Sequence, residues 1–383
     1  MINQVVILVG GLGTRLGSLT KRTPKALIKI NNIPFLNYLI KYYSNFGIRK
    51  IVLLTKYKDY IFRKKYNNKI FWTSKIRCIR EKDFLGTAGS LKNAIKNLDK
   101  KFIFCNGDTY FDINLLDFIN KFKNNYVGIL ACSKTQPFDK RYTYFNNKKK
   151  LSSSGIYIFN RDKIKKYLIN YGSLENKVIS KIPMKKFKMI SYGKRFIDIG
   201  TTKDLNRAKK FLSNTLKKKC AFFDRDGVIN YDYGYIYKKK NFKFKKNVIK
   251  TIKFLNDKGY YNIVISNQSG VGRGYYTEKD VNILHKWINK KLNLKGAYID
   301  KFYYAPYYAY SKKMIYRKGK NNRKPNIGLF KKAFNDFHIE KRGSFFVGDK
   351  KTDEIAAKKF KLKYFNVNNK TDLYNLLKKK IRF

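Results

Sequence analysis

The sequence predicts an α/β protein of two domains, residues 1–215 and 219–383, each organised around a Rossmann-like sheet. Three observations point that way. Short β-branched runs alternate with amphipathic stretches, the pattern of strands joined by helical crossovers. The first buried run of each half, Gln4–Val9 and Ala221–Phe223, leads into a loop rich in glycine or aspartate. Ligands gather outside the carboxyl ends of such strands. At 383 residues, with 43% hydrophobic residues, the chain can fill two cores of ordinary size.

The formal net charge is +62, from 87 Lys+Arg against 25 Asp+Glu. An excess of this kind draws anionic ligands. The basic residues are spread along the whole chain rather than gathered in a tail or one helix, so the excess reads as compositional drift. That argues against nucleic acid as the partner and leaves nucleotides and sugar phosphates. Cysteines 78, 105, 132 and 220 form no C-x-x-C pair, which suggests neither a zinc site nor a disulfide framework. The run Val5–Val9 is too short for a signal-peptide core, and nothing approaches the roughly 20 apolar residues of a membrane span. The expectation is a cytoplasmic protein with no membrane partner; the sequence says nothing of its oligomeric state.

In the N-terminal half, the strand Gln4–Val9 is followed by Gly10-Gly11-Leu12-Gly13-Thr14-Arg15-Leu16 and then Thr23-Pro24-Lys25. A glycine loop after a buried strand exposes backbone N–H groups that can cradle phosphates, though by itself it serves equally as a turn. Leu36–Phe46 reads as a helix, Ile51–Leu54 as a strand and Lys58–Tyr66 as a helix. Glu81–Ser90 contains Leu85-Gly86-Thr87-Ala88-Gly89 and opens a helix running to about Asn97. Lys101–Cys105 is a strand ending in Asn106-Gly107-Asp108. Ser153–Phe159 is a later strand, and Phe196-Ile197-Asp198-Ile199-Gly200-Thr201 precedes a helix over Thr202–Leu212.

Taken together, the G-G-x-G-T-R-L loop, the P-K pair, L-G-T-A-G and the two strand-end aspartates resemble the sugar-1-phosphate nucleotidylyltransferases. The resemblance implies that Gly10, Gly11, Gly13 and Thr14 hold a nucleoside triphosphate. Arg15 and Lys25 would neutralise its phosphates, and Gly86, Thr87 and Gly89 would approach the base. Asp108 and Asp198 would bind Mg²⁺. The segment around Gly155 would line the sugar site, with Glu175 contacting the sugar.

The polar and basic stretch Ser213–Lys219 reads as the link to the second half. There Phe222-Phe223-Asp224-Arg225-Asp226-Gly227 places two carboxylates one residue apart at the end of a buried run. Anions that close repel each other, and a divalent cation is the usual remedy, although D-x-D alone is more often an acidic turn. Three further stretches follow: Ser266-Asn267-Gln268-Ser269-Gly270, Arg323-Lys324-Pro325 and Gly348-Asp349-Lys350-Lys351-Thr352-Asp353. Helix candidates between and after them are Asn247–Asp257, Thr277–Leu292, Ile327–Phe337 and Asp353–Lys359. Strand candidates are Tyr261–Ile265, Tyr298–Ala305, Ser344–Val347 and Lys363–Val367.

In that order the motifs resemble the haloacid-dehalogenase-type phosphatases, and closely their heptose-bisphosphate and histidinol-phosphate branch. The resemblance implies a haloacid-dehalogenase-like Rossmannoid sheet. It makes Asp224 a nucleophile that forms an aspartyl-phosphate and Asp226 the general acid and base. Ser266 would bond the phosphoryl oxygens, Lys324 would balance their charge, and Asp349 would complete a Mg²⁺ site with Asp224 and Asp226. Asp353 is expected to support that site rather than ligate. Substrate contacts would fall on Asp232, Gly234, Tyr235, Asn267, Gln268, Ser269, Arg323 and Lys350. Many members of the branch carry a Cys/His zinc loop before the R-K-P stretch. Tyr303–Ala309 and Tyr316–Gly319 hold neither residue type, so no zinc is expected. The two histidines, His285 and His338, are expected to be surface or core residues.

The two implied reactions can be consecutive. A phosphatase acting on a heptose 1,7-bisphosphate at position 7 leaves an anomeric phosphate, with which a nucleotidylyltransferase attacks a nucleoside triphosphate, GTP by the resemblance. The expectation is a bifunctional enzyme of nucleotide-activated heptose synthesis. Two other readings stay open: another sugar 1-phosphate with a histidinol-phosphate-like monoester, and a basic nucleic-acid-binding protein.

Overall fold

The structure is a computed structural model and describes residues 2–134, 143–146, 149–194 and 196–381. The chain divides into two compact units, Met1–Ser213 and Asn214–Phe383.

The first unit is built on a nine-stranded sheet. Its middle is parallel: Gln4–Leu8 lies between Lys50–Thr55 and Lys101–Asn106, and Ser74–Arg80 continues beside Lys50–Thr55. Because these four strands run the same way, their carboxyl ends share one edge, and the loops carrying Gly10, Lys56, Glu81 and Asp108 all leave from it. The long strand Lys149–Asn160 inserts antiparallel between Lys101–Asn106 and Gly128–Ser133. Its register with Gly128–Ser133 shifts between Ser153 and Ile156, a bulge that falls on Gly155. A separate two-stranded ribbon pairs Phe196–Asp198 with Thr109–Phe111, setting Asp198 opposite Thr109. That ribbon brings together two aspartates 90 positions apart in sequence. Phe102, Phe104, Tyr157 and Phe159 fill the core between sheet and helices.

The second unit has a five-stranded, wholly parallel sheet in the order Lys301–Ala305, Tyr261–Asn267, Lys218–Phe223, Ile339–Gly348, Lys363–Asn366. The central strand ends at Phe223, and its neighbours end at Asn267 and Gly348. The D-x-D, S-N-Q and G-D stretches therefore emerge side by side, although about forty and eighty residues separate the last two from the preceding one by chain count. Apolar residues fill both faces of the sheet, with Phe223, Val264, Phe345 and Val347 on one side and Phe222, Ile263, Ile265 and Phe346 on the other.

The helix predicted over Thr202–Leu212 continues to Leu216, and the next strand opens at Lys218. Most of the polar stretch that reads as a link is thus regular structure, its exposed face hiding the periodicity carried by Leu205, Ala208 and Leu212. The strand predicted from Ser344 starts at Ile339, and a helix over Leu373–Lys380, buried through Leu373 and Leu377, was not anticipated. Among the described residues no helix is long and apolar enough to cross a membrane.

Candidate active sites

In the second unit a cleft of about 520 Å³ opens at the carboxyl edge of the sheet, lined by Asp224, Asp226, Ser266–Ser269, Arg323, Lys324, Lys350 and Asp353, with Asp232, Gly234 and Tyr235 also on its wall. That is the size and place of a small-ligand site. Asp224 is held by its own N–H, which donates to Val347 O (2.9 Å). Lys324, buried, lies 2.8 Å from Asp224 Oδ1 and 2.7 Å from Asp353 Oδ1. Burial opposes the ammonium, yet Asp224 and Asp353 outweigh it and raise Lys324 above its ordinary value. Burial pushes the Asp224 carboxyl up to about 7; Lys324 opposes the shift, while Asp353 and Asp226 add to it.

Asp224, Asp349 and Asp353 offer oxygens within 4.8 Å of one another. Gly227 makes room for this: its φ is +85°, and a Cβ there would lie 2.1 Å from Asp349 Oδ2. Asp349 Oδ1 is buried with no hydrogen-bond partner. An orphaned carboxylate oxygen beside two other carboxylates fits a hard divalent cation such as Mg²⁺. Asp353, expected only to support the site, stands in this triad. Its Oδ2 also accepts from the N–H groups of Asp349 (3.3 Å) and Lys350 (3.2 Å) at the start of the helix Lys351–Lys359.

Asp226 is gripped from its own chain. Arg225, fully buried, donates to its carboxylate from Nε (3.1 Å) and Nη2 (2.8 and 3.0 Å), and Asn230 Nδ2 and Gln268 Nε2 donate as well (3.0 and 2.8 Å). Gln268 Nε2 also donates to Ser266 Oγ, and Gln268 Oε1 accepts from Tyr276 (both 2.8 Å). Arg225 Nη1 lies 3.3 Å from His285 Nε2. Since a guanidinium has no lone pair to offer, His285 is the acceptor and is neutral; burial, then Arg225, hold its pKa well below the usual value. Lys350 Nζ bonds Asp232 Oδ2 (2.9 Å), Asp232 Oδ1 accepts from Gly234 N (3.0 Å), Asn267 bonds both backbone groups of Lys324, and Arg323 donates to Tyr307 O. Ser269 opens the short helix Gly270–Arg273. Arg225 and Tyr276 were missed from sequence, where nothing marks the middle residue of D-x-D as more than a spacer; His285, expected at the surface or in the core, is a buried residue.

In the first unit, Lys25 Nζ pairs with Asp108 and lies 3.6 Å from Asp198 Oδ1. Gly13, at φ +68°, lets the loop fold back until a Cβ there would meet Lys25 Cβ at 3.2 Å. The Arg15 guanidinium sits against Gly200, beside Asp198. Arg15, Lys25, Asp108 and Asp198 are thus brought to one place from four segments. Burial, then Asp108, push Asp198 up to about 7 against Lys25 and Arg15. Its Oδ1 has no hydrogen-bond partner, so this pair also fits a divalent cation. Gly10 packs on Lys56, Gly11 is exposed, and Thr14 opens a short 3₁₀ turn. Gly86 and Gly89 pack against the backbone of Gly172 and Asn170, while Thr87 Oγ1 accepts from Leu174 N (2.7 Å). Glu175 accepts from Tyr157 (2.6 Å) and Ser173, and Gly155 packs on Asn106.

Comparison with known proteins finds a match for each half of the chain. Residues 4–144 match the family described as nucleotidyl transferase, and residues 219–374 that described as polynucleotide kinase 3 phosphatase. The D-glycero-β-D-manno-heptose-1,7-bisphosphate 7-phosphatase of Haemophilus ducreyi is 39% identical over 141 residues, 37% of this chain and 77% of that one. Its namesake from Escherichia coli K12 is 36% identical over 136 residues, covering 36% and 71%. Among solved structures, HddC from Yersinia pseudotuberculosis complexed with GMP-PN is 30% identical, covering 55% of this chain and all of that one at a TM-score of 0.48. The protein is an α/β enzyme in which a nucleotidyltransferase domain precedes a haloacid-dehalogenase-like phosphatase domain. Through its C-terminal region the chain belongs to the D-glycero-D-manno-heptose-1,7-bisphosphate 7-phosphatase family.

Proposed function

We propose that the protein carries out two consecutive steps of nucleotide-activated heptose synthesis. It removes the 7-phosphate of D-glycero-D-manno-heptose 1,7-bisphosphate and then joins the remaining 1-phosphate to GMP from GTP, releasing pyrophosphate. The observation that carries this reading is the Asp224–Lys324–Asp353 cluster at the floor of the cleft, in a region 39% identical to a phosphatase of that name.

In the phosphatase, an Asp224 oxygen bonds to phosphorus as the ester oxygen of the sugar leaves, taking a proton from Asp226. Asp226 then withdraws a proton from the water that displaces phosphate from Asp224. Ser266 bonds the phosphoryl oxygens, and Lys324 offsets their charge. Asp224, Asp349 and the Asp226 carbonyl, with Asp353 alongside, would hold a Mg²⁺, which would supply charge neutralisation between nucleophile and phosphoryl group. Substrate specificity rests on Asp232, Gly234, Tyr235, Asn267–Ser269, Arg323 and Lys350.

In the transferase the 1-phosphate oxygen attacks the α-phosphorus. The attacking group is already an anion, so positioning and charge neutralisation supply the catalysis. Gly10, Gly11, Gly13 and Thr14 cradle the triphosphate, Arg15 and Lys25 bear on the developing charge, and Asp108 with Asp198 would hold a second Mg²⁺. The turn carrying Gly86, Thr87 and Gly89 would approach the base, and the segments of Gly155 and Glu175 the sugar.

The test is a single reaction with Mg²⁺, the heptose 1,7-bisphosphate and each of the four NTPs in turn, followed by mass spectrometry. GDP-heptose formed with GTP, with phosphate and pyrophosphate released, is the expected result. Phosphate without nucleotide sugar would overturn the transferase half, and no phosphate would overturn the choice of sugar.

A further inference from the structure

Two lysines are buried among the described residues: Lys324, on the floor of the cleft, and Lys245, which does not line it. A buried ammonium without a close counter-ion is costly. Yet Lys245 Nζ makes its hydrogen bonds to two backbone carbonyls, Gly227 O and Asn368 O (both 2.8 Å), and not to a carboxylate. Burial holds its pKa below the ordinary value, with the charge of Asp349 opposing. Gly227 stands in the turn after D-x-D, where its N–H donates to Asn230 O (2.8 Å). Asn368 lies just past the last strand, where the N–H of Val367 donates to Gly348 O (3.0 Å), one residue before Asp349. The backbone of Lys245 is fixed too. Its N–H donates to Ile229 O (3.0 Å), and its carbonyl accepts from Val248, which opens the helix Val248–Asp257.

Gly227 leaves no slack in this arrangement, since a Cβ there would lie 2.1 Å from Asp349 Oδ2. The turn and the carboxylate are in contact, so a shift of either changes the spacing of Asp224, Asp349 and Asp353. A cation as small as Mg²⁺ demands near-ideal ligand geometry, and groups behind the ligands commonly set it. We propose that Lys245 is a positioning residue for the divalent cation of the C-terminal site: by bridging Gly227 O and Asn368 O it locks the D-x-D turn to the chain beside Asp349 and fixes the spacing of the carboxylates. Lysine suits the place because its ammonium offers three donors and no acceptor. Its charge by itself acts in the opposite sense, since a cation near Asp349 repels a metal ion. Positioning and charge therefore predict changes of opposite sign when Lys245 is removed. The inference rests on the phosphatase reading and deepens it with a residue that does not touch the substrate.

The test measures Mg²⁺ binding by calorimetry on the full-length, metal-free protein carrying Asp108→Ala, which removes the N-terminal aspartate pair, with and without Lys245→Met. Lys245→Met should weaken Mg²⁺ binding roughly 10- to 100-fold, the usual effect of losing a group that orients a metal ligand. The Mg²⁺ concentration for half-maximal phosphate release should rise by the same factor, while KM for the heptose bisphosphate at saturating Mg²⁺ stays unchanged. Lys245→Gln keeps N–H donors without the charge and should fall between the parent and Lys245→Met; it carries the test if melting curves show Lys245→Met unfolded. Equal or tighter Mg²⁺ binding in the folded variant overturns the proposal, as does a rise in KM with Mg²⁺ affinity unchanged. Mg²⁺ affinity that depends on Lys245 in a protein that hydrolyses no sugar phosphate would retain the role of Lys245 and remove the phosphatase reading. No Mg²⁺ binding in the parent would remove both.

Discussion

Arg225 holds the carboxylate of its own neighbour, Asp226, through three hydrogen bonds of 2.8 to 3.1 Å, with the guanidinium wholly buried. Adjacent side chains on an extended strand point to opposite faces; here the chain has left the strand and turns, so the second carboxylate curls back onto the intervening residue. Ile236 O accepts from Nη2 and His285 from Nη1, and both fix the guanidinium in turn. The proposed general acid and base is thereby aimed by a residue that does not line the cleft. A lysine could not reproduce the planar fork. Arg225→Lys should lower kcat for phosphate release on the order of 10²-fold, the cost of a misplaced catalytic group, with KM little changed. A parallel rise in KM in steady-state assays would mean that Arg225 shapes the substrate site instead.

The two chemistries should separate by single substitutions. Asp224→Asn should lower phosphate release by at least ~10³-fold while leaving nucleotidyl transfer from supplied heptose 1-phosphate intact. Asp108→Ala should do the reverse. Loss of both reactions on either change would contradict two independent sites.

Lys324 is the one cation bridging Asp224 and Asp353 among their described partners, and all three are buried. Removing one partner from a buried charge cluster leaves the others uncompensated. Lys324→Met should destabilise the C-terminal unit by about 3–5 kcal/mol, read from urea unfolding followed by hydrogen exchange in that unit. Millimolar Mg²⁺ should add to the carboxylate repulsion relief in the parent protein and raise its melting temperature, an effect that EDTA reverses.

Acid should weaken the C-terminal unit through His285. Its folded pKa lies well below the unfolded value of about 6.5, because burial and Arg225 disfavour the imidazolium. Below about pH 6.5 the unfolded chain takes up a proton that the folded one refuses, so stability falls as pH drops toward the folded pKa. The slope from this one group approaches about 1.4 kcal/mol per pH unit. In His285→Gln that component should vanish, which denaturation at pH 5 and 7 would detect.

In the N-terminal unit Glu81 carries the opposite sign. Burial raises its carboxyl to about 6, with Ser90 and Lys56 opposing, so its neutral form suits the nucleotide-free fold. Its contribution to stability is complete below about pH 4.3 and is lost as pH rises through about 6. Glu81→Gln should therefore stabilise the nucleotide-free unit at pH 8 more than at pH 5, measured by the same unfolding assay.

Much of this was legible in the chain. The glycine loop with Arg15 and Lys25, the D-x-D of Asp224 and Asp226, and the R-K-P stretch sit in short segments whose spacing is set by backbone turns, so they can be read locally. The alternation of apolar runs likewise places most strands and helices, because burial of one face imposes a period on the sequence. What the tertiary structure alone decided is which distant groups meet. The strand order, which no local pattern encodes, makes neighbours of the ends at Phe223, Asn267 and Gly348. The ribbon register sets Asp198 beside Asp108. Arg225, His285 and Glu81 have ordinary sequence surroundings; they acquire their importance from being enclosed, where a charge must find a partner or change its proton.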